Sequence, residues 1–388
     1  MTISKRAQNV SPSPTLSITA KAKEMKAGGI DVVSFGAGEP DFDTPLFVKK
    51  AAIRAINEGF TKYTATSGIP ELKKAICEKL KRDNNLVYGP GNILVSNGAK
   101  QALYNIIQVL INPGDEVLMP VPYWASYEEM VKLAGGICVF VPAKNFKINA
   151  SNIASKITSK TKLFILNSPS NPTGMVIGRG ELKKIADLCV RKNIFVISDE
   201  IYEKIIYNAK HVSIASLGEK INNLTVVING VSKSHAMTGW RIGYAAGPED
   251  ILKAAGNVQD HTTSNPNSIA QKATLEALAN VKESDKFIAG VISEYGKRRD
   301  YMVKTLNNIK GVRAIKPEGA FYVFADVSGL YGKNINGSMD LCGQLLEKAR
   351  IALIPGIAFG DDNFVRLSFA ASMENIKRGL ERFKKFDG

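Results

Sequence analysis

Short apolar runs of strand length alternate with segments of helical periodicity over much of the chain. The runs are continuously apolar, which is typical of strands covered on both faces in a parallel sheet. The predicted strands are Ile93–Val95, Val117–Met119, Cys138–Val141, Leu163–Leu166, Phe195–Ile197 and Val226–Ile228. Helical spacing is found in the intervening segments Ala99–Leu110, Ser126–Leu133 and Glu181–Lys192. This alternation predicts an α/β fold with a mostly parallel central sheet and right-handed crossovers.

The carboxyl-terminal part of the chain has a different pattern, in which longer helices precede and separate short strands. The predicted elements are the helices Ser268–Ala279, Asp285–Leu306 and Asp340–Ala349, and the strands Phe321–Phe324, Ala352–Ile354 and Val365–Phe369. This order predicts a smaller α+β domain. A length of 388 residues also favours two domains.

Composition narrows the classes of function. With 45% hydrophobic and 22% charged residues the chain is typical of a globular protein. The net charge of +15 is spread over many helical segments and forms no single basic stripe, so binding to nucleic acid is not expected. The scattered cysteines and histidines predict neither a metal site nor a disulfide framework; they are Cys77, Cys138, Cys189, Cys342, His211, His235 and His261.

The amino terminus is polar and lacks the apolar core of a secretory signal. No apolar stretch approaches the ~18 residues that suggest a membrane span. We therefore expect a cytoplasmic protein with no membrane partner.

One lysine stands in a distinctive position. Lys233 lies between Ser232 and Ser234, shortly after the apolar run 224–228, and Arg241 follows it. A lysine amine can form an imine with an aldehyde, and an arginine can hold a phosphate. Alone this pair is weak evidence, because a lysine in a serine-rich turn is usually a solvated surface charge.

Further motifs strengthen the interpretation. They are Asn171-Pro172-Thr173-Gly174, Ser198-Asp199-Glu200-Ile201-Tyr202, Met237-Thr238-Gly239-Trp240-Arg241 and Phe364-Val365-Arg366-Leu367-Ser368. Together they resemble the fold-type I pyridoxal phosphate enzymes, and almost the whole chain resembles the prokaryotic one-beta aspartate aminotransferases. The resemblance implies a large domain of residues 46–290 that binds pyridoxal 5'-phosphate, and a small domain of residues 1–45 with 291–388. It also implies a homodimer with shared active sites.

The resemblance assigns the cofactor's ring to five residues. Lys233 matches the lysine that binds the aldehyde and then moves the substrate's α-proton. Asp199 follows a predicted parallel strand, at the edge where such sheets bind ligands, and matches the aspartate that pairs with the pyridine nitrogen. Tyr202 and Asn171 match residues that contact the phenolic oxygen, and Trp124 matches the aromatic that stacks on the ring. An aspartate in this place is otherwise most often a helix cap.

The phosphate is expected at the start of a helix, where unpaired N–H groups and the helix dipole favour an anion. Gly98, Ala99 and Lys100 open the helix that follows the strand 93–95. Arg241 is expected to add its charge. The resemblance further implies that Tyr63 reaches the phosphate bound to the neighbouring subunit.

The substrate's two ends are assigned to separate residues. By resemblance, Arg366 pairs with the α-carboxylate, Gly38 contacts it through the backbone, and Trp124 and Asn171 also face the substrate. Residues 259–266 lack the arginine that binds the second carboxylate in the animal and enteric branch. The resemblance to the one-beta branch assigns that carboxylate to Lys100, assisted by Thr15.

These assignments predict an aminotransferase that moves the amino group of L-aspartate to 2-oxoglutarate in a ping-pong reaction, giving oxaloacetate and L-glutamate. An aromatic or alanine aminotransferase, or a pyridoxal-dependent lyase, would share every motif and would differ only in the role of Lys100. Many one-beta sequences carry a lysine, associated with use of prephenate, where this chain has Ser11, which puts prephenate in doubt. A pyridoxal-binding regulator would need a DNA-binding domain, for which the amino-terminal arm is too short.

Overall fold

A computed structural model describes residues 3–12 and 14–386, apart from the side chains of Pro14 and Leu16. Its strands are β1 (Val33–Ser34), β2 (Ile93–Ser96), β3 (Glu116–Val121), β4 (Ile137–Pro142), β5 (Thr161–Asn167), β6 (Phe195–Asp199), β7 (Thr225–Gly230), β8 (Gly243–Ala246), β9 (Arg313–Ala314), β10 (Tyr322–Asp326), β11 (Ile351–Ala352), β12 (Ile354–Pro355) and β13 (Phe364–Ser368). Its α-helices are α1 (Lys5–Gln8), α2 (Pro14–Ala27), α3 (Leu46–Asn57), α4 (Pro70–Asn84), α5 (Ala99–Leu110), α6 (Ser126–Leu133), α7 (Ala150–Ala154), α8 (Arg179–Lys192), α9 (Glu219–Asn222), α10 (Glu249–Asp260), α11 (Ser268–Ala279), α12 (Val281–Leu306), α13 (Gly337–Lys348) and α14 (Met373–Lys384).

The largest sheet formed by the described residues has seven strands in the order β2-β8-β7-β6-β5-β3-β4. Strand β8 runs antiparallel to both of its neighbours. The remaining neighbours pair in parallel. The expectation of an α/β fold with a mostly parallel sheet is therefore confirmed. The sequence did not predict β8, because Gly243-Tyr244-Ala245-Ala246 is short and has only one bulky apolar residue.

Neighbouring residues of the central strands pack into different cores. In β6, Val196 lies in the core that contains Ile185 of α8, whereas Ile197 lies in the core that contains Ile106 of α5. Side chains alternate between the two faces of a strand, so helices on both faces require apolar residues at successive positions. This arrangement explains the continuous apolar runs in the sequence.

A second sheet is built from the carboxyl-terminal part of the chain. Strands β12, β13, β10 and β9 form it in that order, with antiparallel pairing throughout. Separately, β1 pairs in parallel with β11, with Val33 opposite Ile351. The amino-terminal segment therefore packs against the carboxyl-terminal part. The domain boundaries at residues 46 and 290 stay a prediction.

Most predicted elements are present, with small shifts at their ends. Helices α5, α6 and α11 begin and end where the sequence predicts. Helix α12 begins at Val281, before the predicted start at Asp285. The predicted strand Ala352–Ile354 is divided at Leu353 into β11 and β12, which belong to different sheets. Among the described residues, no helix is both long and apolar enough to cross a membrane.

Candidate active site

A cavity with about 840 Å³ of empty space lies at the carboxyl ends of β5 and β6. Asn167, at the end of β5, and Asp199, at the end of β6, both line it. Ligands are expected at this edge of a parallel sheet. The cavity brings together these predicted residues: Thr15, Gly38, Ala99, Lys100, Trp124, Asn171, Asp199, Tyr202, Lys233, Arg241 and Arg366.

Lys233 lies in the turn after β7, with its amine inside the cavity. Its Nζ donates a hydrogen bond to the backbone oxygen of Gly38 over 2.6 Å. Burial lowers the pKa of Lys233 to about 8, although the negative charge of Glu39 opposes the shift. The neutral amine, which is the nucleophilic and basic form, is therefore well populated at mildly alkaline pH.

Asp199 is buried and held on both of its oxygens. The hydroxyl of Tyr127 donates to Oδ2 over 2.6 Å, and the backbone N–H of Ile201 donates to Oδ1 over 3.2 Å. Burial raises the pKa of Asp199 to about 6, against the opposing effect of these two hydrogen bonds. Because this value lies close to neutral pH, small changes around the carboxyl alter its ionisation.

Two tyrosines meet in the wall of the cavity. The hydroxyls of Tyr202 and Tyr322 are 2.7 Å apart, and either can be the donor. Tyr202 lies in the turn after β6, and Tyr322 begins β10 of the second sheet. This contact joins the two sheets within the cavity.

Arg366 lies on β13 with only 2% of its surface exposed. Its Nη1 donates to Oδ1 of Asn171 over 2.9 Å, and its Nη2 donates to the backbone oxygen of Gly36 over 3.0 Å. The guanidinium carbon is 4.4 Å from the ring centroid of Tyr322. Within the described structure its Nε is buried without a hydrogen-bond partner. Buried donors in folded proteins are nearly always paired, so this atom indicates a ligand acceptor.

The start of α5 is shaped by two glycines. Gly98 precedes the helix with a φ of 82°, and a Cβ there would lie 2.3 Å from Nη2 of Arg241. Gly243 of β8 packs so closely that its Cβ would lie 2.1 Å from the backbone nitrogen of Ala99. Only glycine fits either position. The glycines thus bring Arg241 beside a helix end whose first N–H groups lack intrahelical acceptors.

Arg241 is itself fixed by backbone oxygens. It donates to the carbonyl oxygen of Thr238 over 2.8 Å and to that of Asn97 over 3.3 Å. Both contacts hold the guanidinium at the amino-terminal end of α5. This end of the cavity therefore combines a helix dipole with a fixed positive charge, which suits a phosphate.

Lys100 lies beside Trp124. Its Nζ is 4.9 Å from the centroid of the indole ring, within the range of a cation–π contact. Partial desolvation, and then the positive charge of Arg241, lower the pKa of Lys100. Both side chains line the cavity, so a ligand against Trp124 would lie close to the ammonium.

Two predicted residues do not line the cavity. Gly98 instead provides space for Arg241 behind it. Tyr63 is 90% exposed. Thr15 does line the cavity, and its backbone oxygen accepts a hydrogen bond from Thr19 over 2.7 Å.

Several lining residues were not predicted: Leu103, Tyr127, Asn167, Ile201, Ser232, Thr238 and Tyr322. Asn167 could have been found, since it follows a predicted parallel strand. Its Oδ1 accepts the backbone N–H of Asn171 over 2.8 Å. Tyr322 gave no signal, because it stands in an apolar strand where aromatic residues usually form the core.

Behind the cavity lies one group of three possible metal ligands, Glu200, Glu203 and His211, among the described residues. The ammonium of Lys79 forms an ion pair with Glu203, and His211 Nε2 is 3.0 Å from Glu200 Oε2. Burial alone would raise the pKa of Glu203, but Lys79 and His211 outweigh it and lower the value to about 2. The protein's own cations thus balance this group.

The cavity itself is positively charged. Lys100, Lys233, Arg241 and Arg366 line it, whereas Asp199 is the one carboxylate among the described lining residues. Such a field raises the local concentration of anions. The site is therefore suited to bound molecules that carry several negative charges.

Comparisons with known proteins agree over the full length. The profile of the family described as "Aminotransferase class I and II" matches residues 30–383. An aspartate aminotransferase from Bacillus sp. (strain YM-2) is 49% identical over 389 residues, covering 99% of this chain and 98% of that protein. A probable aspartate/prephenate aminotransferase from Aquifex aeolicus is 48% identical over 387 residues, covering 99% and 98%. The solved structure of the Thermus thermophilus aspartate aminotransferase with maleate is 42% identical and covers 99% of both chains, with a TM-score of 0.95. The chain belongs to the class I and II aminotransferases.

Proposed function

We propose that the protein is a pyridoxal 5'-phosphate-dependent aspartate aminotransferase, which moves the amino group of L-aspartate to 2-oxoglutarate and gives oxaloacetate and L-glutamate. The observation that carries the proposal is the presence of Lys233, Asp199 and Arg366 in one cavity. When bound, the cofactor supplies an aldehyde that links covalently to amines and a ring that accepts electrons.

The residues of the cavity fit this cofactor. The start of α5 and Arg241 would hold the phosphate, and Asp199 would pair with the pyridine nitrogen. Tyr202 and Asn171 would bind the phenolic oxygen, and Trp124 would cover one face of the ring. All of these residues line the same cavity.

The α-carboxylate of the substrate is assigned to Arg366. Its Nε is buried without an acceptor among the described residues, and two other donors are already fixed by Asn171 and Gly36. A carboxylate would satisfy the free donor and the charge together. Gly38 would contact the same group through its backbone.

Lys100 would bind the second carboxylate, with Thr15 beside it. Its ammonium lies against Trp124 on the wall of the cavity, where it would favour diacids over aromatic or small apolar amino acids. The Thermus thermophilus relative is described with maleate, a dicarboxylate, which supports this choice. An aromatic aminotransferase is the alternative, since every other motif is shared.

Lys233 would both anchor the cofactor and move the proton on the substrate's α-carbon. With a pKa near 8 its amine loses and regains a proton readily near neutral pH. Asp199, as an anion, would keep the cofactor's pyridine nitrogen protonated. Tyr202 would hold its phenolic oxygen in place.

We propose that the active enzyme is a cytoplasmic homodimer in which Tyr63 enters the partner's site. Tyr63 is 90% exposed in the single chain, and α3 exposes Leu46, Ile53 and Ile56 at 62%, 56% and 53%. Clustered exposed apolar residues of this kind are typical of interfaces. The small domain, proposed as residues 1–45 with 291–388, would close over the bound substrate and exclude water.

A spectral titration tests the proposal. The purified protein is loaded with pyridoxal phosphate, and amino donors are added one at a time: aspartate, glutamate, phenylalanine, alanine and cysteine. Aspartate and glutamate should convert the aldehyde form of the cofactor to the amine form at the lowest concentrations. A stronger response to phenylalanine would replace the proposal by the aromatic alternative.

The same assay addresses prephenate as an amino acceptor. The Aquifex aeolicus relative carries prephenate in its description, whereas Ser11 here replaces the lysine associated with that use. The backbone N–H of Ser11 donates to Glu129 over 2.9 Å. We expect little conversion of the amine form by prephenate compared with 2-oxoglutarate.

A further inference from the structure

Tyr127 contacts two residues that are assigned to the cofactor, although no motif pointed to it. Its hydroxyl donates to Oδ2 of Asp199 over 2.6 Å. Its ring meets the ring of Trp124 edge to face, with 5.3 Å between centroids and an angle of 89°. Its backbone N–H donates to the oxygen of Trp124 over 2.9 Å. One side chain therefore joins the carboxylate and the indole of the same cavity.

Both partners of the hydrogen bond are almost fully buried. Tyr127 and Asp199 are each 3% exposed. A hydrogen bond to a charged group contributes more than one between neutral groups, and its loss leaves a buried acceptor unpaired. Loss of this hydrogen bond should therefore destabilise the buried carboxylate.

The geometry leaves room for a ligand on Asp199. A carboxylate has about four acceptor positions. The hydroxyl of Tyr127 occupies one on Oδ2, and the N–H of Ile201 occupies one on Oδ1. These two donors fix the rotation of the carboxyl group, while positions that face the cavity stay available.

We propose that Tyr127 is a positioning residue for the cofactor's pyridine nitrogen, because it fixes the Asp199 carboxylate that pairs with that nitrogen. The inference rests on the proposed function. Tyr127 would act on one atom of the cofactor's ring, the pyridine nitrogen, and only through Asp199. The other groups that act on the Asp199 charge are Tyr202, Glu200 and Lys233, and none of them holds a carboxylate oxygen.

The test measures cofactor binding, independently of turnover. Pyridoxal phosphate and its 1-deaza analogue, in which a C–H replaces the pyridine nitrogen, are titrated into cofactor-free protein. Both compounds carry the aldehyde and the phosphate, so Lys233 and Arg241 bind them alike. Tyr127→Phe keeps the ring against Trp124 and removes only the hydroxyl.

A tyrosine on the neighbouring turn gives a matched control. The hydroxyl of Tyr123 donates to Oε2 of Glu128 over 2.5 Å, so it too bonds a carboxylate. Tyr123 lines an adjacent cavity and not the site. Tyr123→Phe therefore removes the same kind of bond without touching Asp199.

Tyr127→Phe should weaken the binding of pyridoxal phosphate about tenfold, which equals ~1.4 kcal/mol. The 1-deaza analogue should bind Tyr127→Phe and the wild type within about twofold of each other, and Tyr123→Phe should bind both compounds like the wild type. In an Asp199→Asn background, Tyr127→Phe should add no further loss.

Equal weakening of both compounds would show that Tyr127 only supports the fold, and unchanged binding of pyridoxal phosphate would show that the hydroxyl is not needed. Either result overturns this inference alone. A wild-type protein that binds neither compound would overturn the proposed function together with it.

Discussion

The guanidinium of Arg366 donates a hydrogen bond to the side-chain oxygen of Asn171, with 2.9 Å between Nη1 and Oδ1. Arg366 belongs to β13 of the second sheet, and Asn171 follows β5 of the larger sheet. The proposed residues for the substrate's carboxylate and for the cofactor's phenolic oxygen are thus in direct contact. A carboxylate that binds Arg366 would therefore also hold Asn171 in place.

Arg366→Lys should lower kcat/KM for aspartate. The fixed fork of arginine bonds Asn171 and Gly36 and still presents Nε, whereas the single ammonium of lysine cannot replace all three donors. A lost hydrogen bond to a charged group is worth ~1.5–3 kcal/mol, so we expect a decrease of about 10- to 100-fold. Steady-state kinetics measure the decrease. Arg313→Lys is the control, because the Arg313 side chain is 78% exposed and also pairs with a carboxylate, that of Asp326. An unchanged kcat/KM would show that Arg366 does not bind the α-carboxylate.

Lys100→Ala should change the choice of substrate. The KM for aspartate and 2-oxoglutarate should rise about tenfold, the effect of ~1.4 kcal/mol, while the KM for phenylalanine should change little. Lys162→Ala is the matched control, because its ammonium also lies over a ring, 5.2 Å from the centroid of Phe195. Equal losses for every donor would mean that Lys100 serves the phosphate or the fold.

Mixed dimers test whether the active site is shared. Tyr63→Ala and Lys233→Ala should each be nearly inactive alone. In a hybrid of the two, the intact Lys233 of one subunit would meet the intact Tyr63 of its partner. Random reassociation should therefore restore about a quarter of the wild-type activity, because half of the dimers are hybrids with one complete site each. If mixing restores no activity, Tyr63 does not act across an interface.

The sequence predicted the residues whose roles depend on local pattern. Asp199 was placed at a strand end by the apolar run before it, and Ala99 at a helix start by Gly98. Lys233 was identified by its motif, which the burial of its amine supports. These assignments needed only short segments of the chain and the resemblance that the motifs carry.

The residues that sequence reasoning missed depend on contacts between distant segments. Tyr322 reaches Tyr202 only because β10 packs beside the turn after β6. Tyr127 reaches Asp199 only because α6 packs over the end of the sheet. Neither contact has a local signature, since an aromatic residue in a strand or helix usually belongs to the core.

Asp199 should make the stability of the cofactor-free protein depend on pH. Its pKa is raised from 3.8 to about 6 by burial, so the folded state holds a proton that the unfolded state has lost between these values. Its contribution to stability therefore falls as pH rises through this window, by ~3 kcal/mol from 1.36 kcal/mol per pKa unit.

Asp199→Asn removes this loss. Its melting temperature relative to the wild type should rise by several degrees between pH 4 and pH 7, on the scale of a few degrees per kcal/mol. Thermal melting of both cofactor-free proteins in matched buffers measures the difference. A difference that stays constant with pH would show that the carboxyl ionises as freely in the folded state as in the unfolded chain.

The buried ion pair behind the site should matter more for stability than any exposed pair. Lys79 and Glu203 have 5% and 6% of their side chains exposed. Removing one partner leaves an uncompensated buried charge, so Lys79→Met should destabilise the protein by about 3–5 kcal/mol. Lys79→Met combined with Glu203→Gln removes both charges and should recover part of that loss. Lys183→Met, which breaks the exposed pair with Asp187, should change stability by less than about 1 kcal/mol.

Thermal melting of the cofactor-free variants decides this comparison. The double variant should melt above Lys79→Met, because a neutral pair of polar and apolar groups needs no counter-ion. Since Glu203 directly follows Tyr202, the single variant should also loosen the turn that carries Tyr202 and Asp199. A double variant that melts no higher than Lys79→Met would show that Lys79 stabilises the protein through packing of its chain and not through its charge.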